Sequence, residues 1–83
     1  MKKKDKDRII ENNKHIPTHE IERDIADTQS EILVMKREIK GFRILGDRWS
    51  MMRADGRESG IEKRRDFIRK LKIILEDRKL RAN

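Results

Sequence analysis

Cysteine and tyrosine are absent from this chain, and proline occurs once. Without cysteine there can be no disulfide and no thiolate metal site, two of the staples that hold many small domains together. Only Phe42, Trp49 and Phe67 are aromatic, too few for a platform on which successive bases could stack. No apolar run approaches the ~18 residues of a membrane span. The N-terminal stretch is charged and lacks the apolar segment of a secretory signal, so the expected setting is the cytoplasm. No glycine-rich phosphate loop is present. Hydrophobic residues make up 34% and charged residues 47% of the 83 positions, so one domain with a small core is the limit. With disulfides and metal excluded, a partner subunit is the remaining common means of stabilising so small a core.

What is there is an apolar stripe with helical spacing: Ile21, Ile25, Thr28, Ile32, Met35, Ile39 and Phe42. Steps of four and three residues put all of them on one side of an α-helix. A second stripe follows at Ile61, Phe67/Ile68, Leu71 and Ile74/Leu75. Strand-favouring residues never alternate for long, so the expected class is all-α. Two amphipathic helices of similar length predict an antiparallel, coiled-coil-like helical hairpin.

The boundaries are expected as follows. Residues 1–16 form a basic N-terminal arm, either mobile or a short helix docked through Ile9 and Ile10. Residues 17–83 form the hairpin domain. Its first helix spans about residues 18–45, with Thr18 as N-cap and Glu20, Glu22 and Asp24 near the positive end of the helix dipole. Gly41, inside that helix, implies close approach of another helix. Gly46 followed by Asp47 reads as a helix stop and a fresh cap, although Trp49 and Met52 continue the stripe and allow one helix to about Ala54. Asp55-Gly56 and Ser59-Gly60 place a bend and turn over 46–58. The second helix is then expected from about residue 59 to residue 81.

Some apolar residues fall off both stripes. Leu33, Val34, Ile44 and Ile73 are surplus to a two-helix contact and form the expected oligomer interface, in a homodimer that makes a four-helix bundle or in a larger helical assembly.

Candidate functional residues are few. Trp49, Met51 and Met52 lie at the bend and read as a docking knob for a protein partner, the alternative being a plug that closes the end of the core. Arg65, Arg69, Lys72 and Lys79 fall near one line of the second helix, interrupted by Glu76, and with the N-terminal lysines could neutralise the phosphates of a polyanion, the alternative being a solvated helix face partly neutralised by neighbouring carboxylates. Residues 56–83 carry ten basic against five acidic side chains, which favours this location. A helix-turn-helix reading would use segments 47–54 and 59–75, with Arg57, Lys63, Arg64 and Arg65 at the start of the second. His15, His19, Glu20 and Glu22 make no convincing metal set, and Ser30, Ser50 and Ser59 have no evident catalytic partners. The expectation is therefore a non-enzymatic adaptor or regulatory protein with no cofactor or metal, acting by contact with another macromolecule. The second expectation is nucleic-acid binding. A third is an anionic, nucleotide-like ligand held by arginines between subunits. The composition is compatible with a phage or bacterial accessory protein.

Overall fold

The apolar stripe of residues 21–42 does form a helix, and its neighbours in space follow from what that stripe must bury. A computed structural model describes residues 2–82. It contains α1 (Lys3–Asn12), α2 (Thr18–Leu45) and α3 (Arg48–Ala82), with no strand among the described residues.

α2 starts where Pro17, with φ −61° and ψ 145°, holds the backbone extended. The Pro17 carbonyl accepts the N–H groups of Glu20 at 3.1 Å and Ile21 at 3.3 Å. Thr18 is therefore not the N-cap, which is Pro17. It is the first helical residue, and its Oγ1 accepts a hydrogen bond from Arg78 Nη1 at 2.9 Å.

α2 stops at Gly46, the one residue among those described with a left-handed backbone (φ 70°), whose N–H donates to the Phe42 carbonyl at 3.1 Å. Glycine enters that region without the clash a Cβ would bring. Asp47 then starts α3. Its Oδ2 accepts the Ser50 N–H at 3.2 Å, its Oδ1 accepts the Ser50 hydroxyl, and its carbonyl accepts the Met51 N–H at 2.9 Å. The reversal thus takes two residues.

The turn expected over 46–58 and a second helix starting near 59 are corrected: α3 is continuous from Arg48 through Gly56 and Gly60. A stripe of small residues carries it. Ser50 and Ala54 are buried and lead into Ile61, Ile68 and Leu71 at steps of four, seven, seven and three. Half-buried Arg57 and Arg64 fill the skipped positions. Each glycine costs about 1 kcal/mol against alanine, less than the burial of this stripe returns. Gly60 is not a breaker but the floor beneath Met35, whose Cε would stand 2.6 Å from a Cβ placed there. Gly41 has no such role, because nothing lies within 4 Å of its Cβ position.

α2 and α3 pack along their lengths. Arg43 pairs with Glu58, Arg57 with Glu38 at 3.2 Å, and Arg64 with Glu31 at 2.8 Å. From Glu38–Arg57 through Glu31–Arg64 to Thr18–Arg78, positions rise along α3 as they fall along α2, so the two helices run in opposite directions. The core between them is mostly isoleucine: Ile21, Ile25, Ile32 and Ile39 from α2, and Ile61, Ile68 and Ile74 with Ala54 and Leu71 from α3. Ile68 takes the core position that it shared with Phe67 in the sequence pattern, and Phe67 stays exposed. α1 lies against α3, with Ile9 and Ile16 packed on the core. Arg78 ties the corner by donating from Nη2 to the Asn13 carbonyl at 3.1 Å.

Two predictions follow from the backbone. Gly56→Ala and Gly41→Ala should each raise stability by about 1 kcal/mol, or roughly 4–8 °C in Tm, whereas Gly46→Ala should lower it by about 1–2 kcal/mol. Thermal unfolding followed by circular dichroism reads both signs. The Ser50 hydroxyl and N–H donate to Asp47 and hold its carboxyl below the usual aspartate range. The cap therefore stabilises the fold above the ordinary aspartate pKa. That contribution fades as pH falls through the lowered value, and Asp47→Asn should flatten this part of the acid-unfolding profile.

Candidate functional site

Two surfaces gather the residues that could recognise something. The first is the tip where α2 turns into α3. Trp49 is 72% exposed, and Leu45, Met51 and Met52 are exposed beside it. Within this chain Trp49 does not plug the end of the core, since a tryptophan closing it would be shielded. The turn geometry explains the exposure. Asp47 and Ser50 commit the first turn of α3 to a cap, which directs Ser50 and Ala54 inward and leaves Trp49 on the outside.

The three residues expected to act together divide. Trp49 and Met52, three apart, share a side of α3, whereas Met51 is turned well over a third of a revolution from Trp49 at about 100° per residue. Leu45, a residue the sequence reading did not single out, is exposed at the last turn of α2 on the approach to Trp49. The charges near this apolar cap are those of Arg48 and Arg53, with the Asp47 carboxylate held at the start of α3 by Ser50.

The second surface is a groove along one flank of the α2–α3 seam. At the tip end it is lined by Ile39, Ile44 and Ile61, with Lys36, Lys40 and Arg43 on its margin. It continues past Arg65, Ile68, Arg69 and Lys72. At the far end Ile25, Leu75 and Leu80 form its floor, beside Lys72 and Lys79. All four residues expected to meet a polyanion, Arg65, Arg69, Lys72 and Lys79, therefore lie along this one groove. Their charge is partly answered from within the chain. Arg65 pairs with Glu62 at 3.3 Å and Arg69 with Asp66 at 3.4 Å. Glu22, Glu58, Glu62 and Glu76 also line the groove.

The expected oligomer residues do not form one patch. Leu33 (58% exposed) and Ile44 (78%) are eleven residues apart, three turns, and so share the groove side of α2. Val34 (54%) is turned about 100° away from Leu33. Ile73 is half-buried on α3, next to the fully covered Ile74. Leu80 (71%) was missed as an exposed apolar residue. Its signal was present, since it lies six residues beyond the last core isoleucine among basic residues.

The helix-turn-helix reading is overturned, because segments 47–54 and 59–75 belong to one unbroken helix. Among the described residues no three metal-ligating side chains come together. The Ser50 hydroxyl is spent on Asp47. No helix of the described residues is long and apolar enough to cross a membrane. No protein-family model, curated protein or solved structure matches this chain.

The exposure of Trp49 predicts a red-shifted emission maximum with ready quenching by acrylamide in the native protein. A blue-shifted, protected signal would place the indole in a core instead.

Proposed function

We propose that this chain is a small non-enzymatic adaptor or regulatory protein, built as a coiled-coil-like helical hairpin that self-associates and acts by binding another macromolecule. The observation that carries this reading is the apolar tip. Leu45, Trp49 and Met52 stand clear of the core at the end of a rod 53 Å long. A lone exposed apolar side chain needs no explanation, but a cluster with tryptophan at its centre marks a contact surface. Tryptophan anchors interfaces because a large rigid ring fills a pocket at little entropic cost, and methionine adapts to the irregular edge of that pocket. Arg48 and Arg53 beside the cluster suit a protein surface with an apolar slot and an acidic margin.

A second reading, nucleic-acid binding, is favoured by the placement of Arg65, Arg69, Lys72 and Lys79 along one groove. The four glutamates of the same groove count against it, because a phosphate chain would have to pass them.

The test is capture from nuclease-treated lysate with wild type and Trp49→Ala. Because Trp49 is outside the core, the variant should keep its helical circular dichroism and lose its partner, by about thirtyfold in affinity if the residue is a hot spot. The same proteins captured equally by both would overturn the tip as the binding element. For the second reading, a mobility shift that weakens steeply with salt is the positive result, and no shift at low salt removes it.

A further inference from the structure

We infer that the groove along the α2–α3 seam is a self-recognition surface that takes a second copy of this chain, antiparallel and related by a two-fold axis at Leu33. This specifies the self-association proposed above and rests on it.

The spacing on α2 is the first argument. Leu33 lies eleven residues from Glu22 and eleven from Ile44, so three whole turns separate it from each and all three fall on one side of the helix. Ile44 belongs to the tip end of the groove and Glu22 to the far end. Leu33 is therefore the midpoint of the surface. A two-fold axis through it brings Leu33 onto its own copy and lays Ile44 of each copy at the Glu22 end of the other. That end has the floor Ile44 requires: Ile25 and Leu75 in the groove, with exposed Leu80 at its edge. Ile44 at 78% and Leu80 at 71% are among the most exposed apolar residues of the chain, and one symmetry operation covers both.

Charge is the second argument. The tip end bears Lys36, Lys40 and Arg43 against Glu58 and Glu62, with Arg43 already paired to Glu58, and the far end balances Glu22 and Glu76 against Lys72 and Lys79. Antiparallel copies bring the lysines of one end toward the glutamates of the other. Arg65 and Glu62, paired within each copy, lie along the middle of the groove, where exchange of partners across the axis keeps every charge answered. A polyanion would satisfy the basic residues and strand the acidic ones, whereas a second copy supplies both signs. Size agrees as well. Glu22 to Ile44 spans about 33 Å, and two helices side by side make a face roughly 20 Å wide, so each copy can offer on the order of 700 Å², close to the ~800 Å² per partner of a stable interface.

Val34 and Trp49 are off this surface. Val34 is turned about 100° from Leu33, and Trp49 is on the side of α3 away from the groove, so the tip stays free in the dimer.

The absence of cysteine makes a direct test available. In single-cysteine variants, Leu33→Cys should form a disulfide-linked dimer on mild oxidation far faster than Val34→Cys, although the two positions are almost equally exposed. Ile44→Cys combined with Leu80→Cys should close into a covalent dimer and no larger species. By sedimentation equilibrium at micromolar concentration, wild type and Val34→Glu should be dimers and Ile44→Glu a monomer of unchanged helicity. A monomeric wild type overturns this inference and self-association together. A dimer in which Val34→Cys crosslinks as fast as Leu33→Cys, or which Ile44→Glu leaves intact, overturns this face while self-association stands. Neither result touches the tip, which Trp49→Ala tests separately.

Discussion

The isoleucine seam between α2 and α3 is the contact on which the rest of the molecule depends. Ile21, Ile25, Ile32 and Ile39 meet Ile61, Ile68 and Ile74 along it, and little else in the chain can exclude water. The ion pairs that cross the seam are at least partly open to solvent and worth at most about 1 kcal/mol each. Arg57 shows what they do instead. It reaches Glu38 and lies with its guanidinium 5.7 Å from the centre of the Phe42 ring, so the side chain roofs the seam as well as pairing across it. The charged residues fix which residue of α2 faces which of α3. The isoleucines supply the free energy that makes any register worth keeping.

Such a seam uses one side of each helix, and the legibility of the sequence follows from that. The α2 stripe was readable because β-branched and other apolar residues recur at steps of four and three with almost no interruption. Gly46 and Asp47 were readable because a left-handed stop and an aspartate cap each have a specific residue preference. The first part of α3 was not. Its inward positions are held by Ser50, Ala54 and Arg57, none of which is a large apolar side chain, while the conspicuous Trp49 and Met52 are exposed. Glycine misled for the same reason at Gly56 and Gly60. At Gly60, a glycine that breaks a helix and one that receives a facing methionine are identical in sequence, and only the position of Met35 on the opposing helix separates them, whereas Gly56 meets nothing and is simply carried by the helix around it.

The candidate surfaces divided along similar lines. The basic residues of α3 could be placed together because helical spacing alone puts them on a line. Glu76 interrupts that line already in the sequence, and Glu58 and Glu62 share the helix; only Glu22 joins them when α2 and α3 lie side by side. Val34 and Leu33 are adjacent in sequence and similar in exposure, yet they serve different sides of one rod. Surplus apolar character can be counted from the sequence, but the direction it faces is set by the register of the seam.

That register also separates the two surfaces and thereby links them. The Asp47 cap turns Ser50 and Ala54 into the seam, and the same rotation of α3 carries Trp49 and Met52 away from the groove. A copy seated in the groove leaves the tip uncovered. Because the two-fold axis at Leu33 reverses the long direction, the two tips of such a pair lie at opposite ends of the assembly. One pair would then present two identical apolar docking ends, each weak by itself, to partners spaced a rod's length or more apart. Two linked contacts hold far more tightly than one whenever the target can engage both. A short chain whose core is a single seam would gain in this way a reach that its size alone does not give. In the proposed assembly, the residues excluded from that seam would determine how copies combine and where they attach.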